Sequence, residues 1–81
     1  MASRRTLKVN PNRLMLGAIN RVKIPNLPFR AEYDAEADTL YLRFRDDLKA
    51  TRSKSDTANG VIYDYHEKIL VGIEILEASS E

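Results

Sequence analysis

The sequence predicts a mainly β fold, at the margin of α+β. The expected architecture is an antiparallel meander of four or five strands, preceded by an N-terminal arm that carries one short helix. Three observations lead there. Residues alternate between apolar and polar over short runs after Phe29. Turn-forming pairs recur between those runs. All three prolines, Pro11, Pro25 and Pro28, precede the first run, so the two parts differ in texture. With 81 residues the chain has room for one domain. Residues 1–28 read as the arm and 29–81 as the folded β module.

Taking the elements in order, Asn10 suits an N-cap and Pro11 the first helical position, so a helix is expected over about 11–20. Leu14, Met15, Ala18 and Ile19 would share one helical face. Gly17 weakens this helix and Asn20 can end it. Val22, Ile24, Leu27 and Phe29 follow as an apolar segment that prolines interrupt. It suits docking along a surface better than a central strand.

Phe29, Ala31 and Tyr33 then alternate with Arg30, Glu32 and Asp34. Asp34 to Asp38 offers Asx-type turn chemistry. Over Thr39–Arg45, Leu40, Leu42 and Phe44 fall on one face and Tyr41, Arg43 and Arg45 on the other, which is the period of a half-buried strand. Asp46-Asp47 marks a turn. Lys49–Thr57 is charged and hydroxylated, so it reads as an edge strand. Asn59-Gly60 is the strongest turn signal, because both residues tolerate positive φ. Val61–His66 and Ile69–Leu76 complete the set, joined by a turn at Glu67-Lys68. Ile69, Val71, Ile73 and Ile75 are expected on one face, with Gly72 marking a bulge or a close backbone approach.

Such a sheet has one apolar face, formed by Leu40, Leu42, Phe44, Val71, Ile73 and Ile75 with some of Ile62, Tyr63 and Tyr65. It needs a cover. A second copy, the arm or a partner protein could each supply one.

Charge separates the same two parts. Residues 1–30 hold seven cations and no acid, for a sum of +7. Residues 31–81 hold six cations and all 12 acids, for a sum of −6. The formal net charge of +1 hides that split. There is no cysteine and one histidine, which removes disulfides, thiolate zinc sites, a Cys nucleophile and multi-His metal centres. No apolar run approaches the roughly 18 residues of a membrane span. No apolar core of a secretory signal follows the early arginines, so a cytoplasmic setting is expected.

Several patterns invite a chemical reading. Asp34, Glu36 and Asp38 alternate like the start of a calcium loop, but Thr39 stands where its glycine belongs and Arg45 where its closing glutamate belongs. A solvated acidic turn is the better account. His66, beside Asp64 and Glu67, lacks a nucleophile partner and reads as a turn histidine. Asp64 and Glu74 could form a carboxylate pair across neighbouring strands, although so small a chain offers little cleft to enclose a sugar. The tyrosines sit among acids, which disfavours stacking on nucleic acid and favours packing or a protein interface.

The block from Tyr33 to Phe44 (Tyr-Asp-Ala-Glu-Ala-Asp-Thr-Leu-Tyr-Leu-Arg-Phe), Gly60-Val-Ile-Tyr-Asp-Tyr65 and the block from Leu70 to Ser79 (Leu-Val-Gly-Ile-Glu-Ile-Leu-Glu-Ala-Ser) together resemble a prokaryotic family, domain of unknown function 2283, over about 31–79. The resemblance implies a compact β-rich domain in prokaryotic cytoplasm. It brings no catalytic residues to carry over. Members are often encoded beside small toxin-like proteins, which implies an antitoxin-like or partner-binding role. The usual member starts near the Tyr-Asp block, so the basic arm is a departure and points to a specialised partner.

The expected function is therefore a non-catalytic, protein-binding module, antitoxin-like or an accessory subunit of a larger assembly. It would dock through the arm and the sheet face on a partner with an acidic or apolar surface. Arg4, Arg5, Lys8, Arg13, Arg21 and Lys23 would steer, and Leu14, Ile19, Ile24 and Leu27 would anchor. No catalytic residue, metal or cofactor is expected. A homodimer through the sheet face is a further partner reading. The alternative function is nucleic-acid binding with the arm on phosphates. A weaker third class is a hydrolase built on Asp64, His66 and Glu74.

Overall fold

The computed structural model describes residues 11–79. The expected N-cap Asn10 and the cations Arg4, Arg5 and Lys8 lie outside the described residues. One helix and five strands follow in order: α1 (Pro11–Arg21), β1 (Arg30–Asp34), β2 (Thr39–Arg43), β3 (Arg52–Asp56), β4 (Val61–His66) and β5 (Ile69–Ile75). All strand pairs are antiparallel and the sheet is open, in the order β1-β2-β5-β4-β3. The chain is mainly β with one short N-terminal helix, as its alternation predicts.

The strand order is not sequential. Hairpin β1–β2 and meander β3–β4–β5 are joined so that β5, not β3, lies against β2. Burial explains the choice. An inner strand is flanked on both sides and Ile69–Ile75 is the most apolar strand, whereas β3 (Arg-Ser-Lys-Ser-Asp) has nothing apolar to bury. β3 therefore takes the outer edge, where its charge discourages pairing with another chain.

α1 answers the question of cover. Leu14, Ala18 and Val22, one helical turn apart, join Leu40, Leu42, Val61, Ile73, Ile75 and Ala78 in a single buried cluster. Ile19, expected on that face, instead points outward at 57% exposure, because the buried stripe runs through 14, 18 and 22. The helix ends at Arg21, one residue beyond Asn20. The residue before Pro25 is biased away from helical conformation, so the chain cannot continue as helix. Phe29 and Phe44 pack edge to face with centroids 5.9 Å apart, closing one end of the core.

The β4–β5 pairing shifts register between Asp64 and Tyr65: Asp64 faces Gly72, but Tyr65 faces Leu70. Val71 is the extra residue of this bulge. The expected face of Ile69, Val71, Ile73 and Ile75 is thereby broken. Leu70 packs against the main cluster in place of Val71, and Ile69 is exposed. Gly72 fits its predicted role, since a Cβ there would stand 3.1 Å from the Leu42 carbonyl oxygen.

The acidic turn at 35–38 does more than meet solvent. The Asp34 carboxylate accepts hydrogen bonds from the backbone N–H of Glu36 (3.1 Å) and Ala37 (3.3 Å), which sets the turn. Asp38, at φ 51°, accepts from the Tyr33 hydroxyl (2.6 Å), the Ser79 N–H (3.0 Å) and the Ser79 hydroxyl (2.8 Å). Burial alone would raise the Asp38 carboxyl, but these hydrogen bonds outweigh it and hold it below the usual range. From the other side, the Arg21 guanidinium donates to the carbonyl oxygens of Leu76 and Glu77. Helix, first hairpin and C-terminal turn are thus tied together.

Candidate functional site

The segment after α1 leaves the helix, turns at Lys23–Pro28 and reaches β1 alongside Phe44. Pro25 and Pro28 fix their own φ and the Leu27 N–H closes on the Pro25 carbonyl, so the segment bends away from the helix and leaves a shallow cleft of about 630 Å³ between them. Met15 and Ile19 of α1, with Val22 just past its end, form one wall, and Ile24 and Phe29 the opposite wall. Ile19 and Phe29 keep 57% and 39% of their surface exposed, so the cleft presents large apolar side chains to water. Arg21 and Lys23 also line it.

The residues expected to bind a partner separate into groups. Ile19, Ile24, Arg21 and Lys23 come together in the cleft. Leu27 is exposed but does not line it. Arg13 is exposed on α1. Leu14 is buried in the chain's own core at 5% exposure, so it presents no surface to a partner. Arg21 spends its hydrogen bonds on the C-terminal turn. Met15, Val22 and Phe29 were not among the expected anchors. Their helical and proline-broken spacing marks them as apolar, but only the fold of the segment back toward β1 makes them neighbours.

The sheet face away from α1 is open and polar. Glu32 pairs with Arg30 and Arg43, each at 3.5 Å. Asp64 faces Gly72 and Glu74 faces Ile62, so the two carboxyl groups are diagonal neighbours on this face, within hydrogen-bonding reach of each other. Partial burial, the hydrogen bond with Asp64 and the Asp64 charge push the Glu74 carboxyl up to about 7. Arg43 opposes the rise without cancelling it. The Ser53 hydroxyl donates to Asp64 at 2.7 Å.

His66 turns elsewhere. Its Nδ1–H donates to the Lys49 carbonyl oxygen at 2.8 Å, and its Nε2 lies 3.8 Å from Glu67. It thereby pins the β2–β3 connection, together with the Thr51 N–H donating to the Tyr65 carbonyl at 2.7 Å. Among the described residues, no three or more His, Asp or Glu side chains are placed to hold a metal ion. No described helix is long and apolar enough to cross a membrane.

A family model described as a protein of unknown function, DUF2283, matches residues 30–79. The chain belongs to this family. The DUF2283 match runs from the first residue of β1 through the Asp38–Ser79 contact, so it takes in the whole sheet and its C-terminal turn. The cleft lining, Met15 to Phe29, lies entirely N-terminal to the DUF2283 region. No curated protein and no solved structure matches the chain.

Proposed function

We propose that the chain is a non-catalytic protein-binding module, antitoxin-like or accessory in role, that docks on its partner through the cleft between α1 and the segment leading to β1. The observation that carries this reading is the pair of exposed apolar walls, Ile19 and Phe29, on the part of the chain that holds seven cations and no acid. A core helix needs only its buried stripe of Leu14, Ala18 and Val22. Leu16 and Ile19, on its outer side, add nothing to that core and cost solubility unless something covers them. An interface built this way has an apolar centre and a charged rim.

Photo-cross-linking in the native host tests the reading. Benzoylphenylalanine is placed at position 19 in the cleft and, as a control, at position 53 on the exposed edge strand. The expected result is a discrete adduct at position 19 that protease removes and nuclease leaves intact. Equal adducts at both positions, or an adduct that nuclease removes, would overturn it. The second outcome would support the nucleic-acid alternative.

A further inference from the structure

We infer that the occupant of the cleft is an acidic, amphipathic helix of a partner protein. The inference rests on the protein-docking reading above and goes on to name the chemistry of the partner.

Three observations fix that chemistry. The first is charge. Residues 1–30 carry +7 in sequence without a single acid; among the described residues Arg21 and Lys23 line the cleft and Arg13 is exposed on α1. A second copy meeting this surface face to face would set two such segments against each other, so like-charge repulsion disfavours it. The second is the lining. Met15, Ile19, Val22 and Ile24 are aliphatic or thioether side chains, and Phe29 already packs its ring against Phe44. A phosphate backbone would meet the cations and leave those apolar walls in water. An acidic segment with large apolar side chains matches both at once.

The third is backbone chemistry. An extended peptide binds by adding a strand to free N–H and C=O groups. One wall here is the last turn of a helix, whose N–H groups are bonded inside the helix. The other contains Pro25 and Pro28, which have no N–H, and the Leu27 N–H is taken by the Pro25 carbonyl at 2.8 Å. The cleft therefore offers little template for a strand. A helix brings its own hydrogen bonds and needs only a stripe of side chains at i, i+3, i+4 and i+7 spacing. A cleft of about 630 Å³ takes such a stripe and not a whole helix.

The test uses the full chain and three labelled peptides of about 16 residues, long enough for marginal helicity. One has a Leu stripe with Glu elsewhere, one the same stripe with Lys elsewhere, and one has Glu throughout with Ser replacing Leu. Binding is read by fluorescence anisotropy. The acidic amphipathic peptide is expected to bind, about tenfold or more tighter than either control, and more weakly as salt rises past about 50 mM. Ile19→Glu is expected to lower its affinity at least about tenfold, with circular dichroism confirming the fold, since Ile19 is exposed.

Equal binding of the Lys peptide would overturn the acidic partner while leaving protein docking intact. Failure of all three peptides to bind would overturn the inference, and the cross-linking at position 19 would still judge the docking reading separately. Self-association that Ile19→Glu abolishes would assign the cleft to a second copy. Displacement of the peptide by a single-stranded oligonucleotide would assign it to nucleic acid. Either outcome overturns the inference.

Discussion

Glu74→Gln should stabilise the protein above neutral pH and leave it unchanged in mild acid. Glu74 lies on the open sheet face, where it meets Asp64 of β4 through a carboxyl–carboxyl hydrogen bond, with Tyr41 opposite it and Arg43 nearby on β2. Its pKa rises from 4.5 to about 7 in the folded protein. A raised folded pKa means the native state holds the proton more tightly than the unfolded chain. The stability from that proton is complete below about 4.5 and is lost as pH rises through about 7. At 1.36 kcal/mol per pKa unit the ceiling is about 3 kcal/mol. Glu74 is only partly buried, so solvent screening brings the expected effect nearer 1 kcal/mol. Glutamine keeps an N–H that can donate to Asp64 and removes the proton that is lost. Thermal unfolding at about pH 5 and about pH 8.5 is the assay, and about 1 kcal/mol corresponds to some 4–8 °C in a domain this size. The variant should match the parent at the lower pH and exceed it at the higher one. A gain of equal size at both, or a loss at the higher pH, would refute the carboxyl pair as the source.

Four further outcomes follow from packing and backbone geometry. Leu14→Ala should cost about 2–4 kcal/mol in urea unfolding, because Leu14 fills the core between α1 and the sheet. Gly60→Ala should cost about 1 kcal/mol by the same assay, since φ there is +64° although the nearest atoms leave room for a Cβ. Gly72→Ala should cost about 1–3 kcal/mol for the opposite reason, a Cβ held 3.1 Å from the Leu42 carbonyl oxygen with no positive φ. Asp38→Asn should flatten the acid limb of the stability profile. The depressed carboxyl contributes stability that is present above the unfolded pKa and lost as pH falls through the folded one.

Much of this architecture is legible residue by residue. The alternation at Thr39–Arg43, the polar run that becomes β3 and the left-handed Gly60 are local properties, and local physics decides them. The phase of β5 is not local. Ile69, Val71, Ile73 and Ile75 alternate in sequence, yet one extra residue opposite Asp64/Tyr65 takes Val71 out of the main cluster while leaving it buried, and nothing in the run itself announces it. Asp38 shows the same limit. Its place in an acidic turn is plain, but its hydrogen bonds to Ser79 span 41 residues. The cleft divides along this line. Its composition is visible in the apolar and basic residues of 13–29, whereas the split between buried Leu14 and exposed Ile19 depends on which side the sheet takes.

The position of β5 sets the order in which the molecule can be completed. As the chain leaves the ribosome, β1–β2 and β3–β4 emerge as two hairpins with no shared ladder, since the strand between them is the last of the five to appear. Each is a two-stranded ribbon, marginal in water by itself. Only when residues 69–75 insert do both acquire a common centre, and the turn that follows closes on Asp38 and Arg21. Synthesis therefore ends in a single late closure. A nascent chain halted before Ile69 should remain open to protease along its whole length, and one released after Ser79 should not.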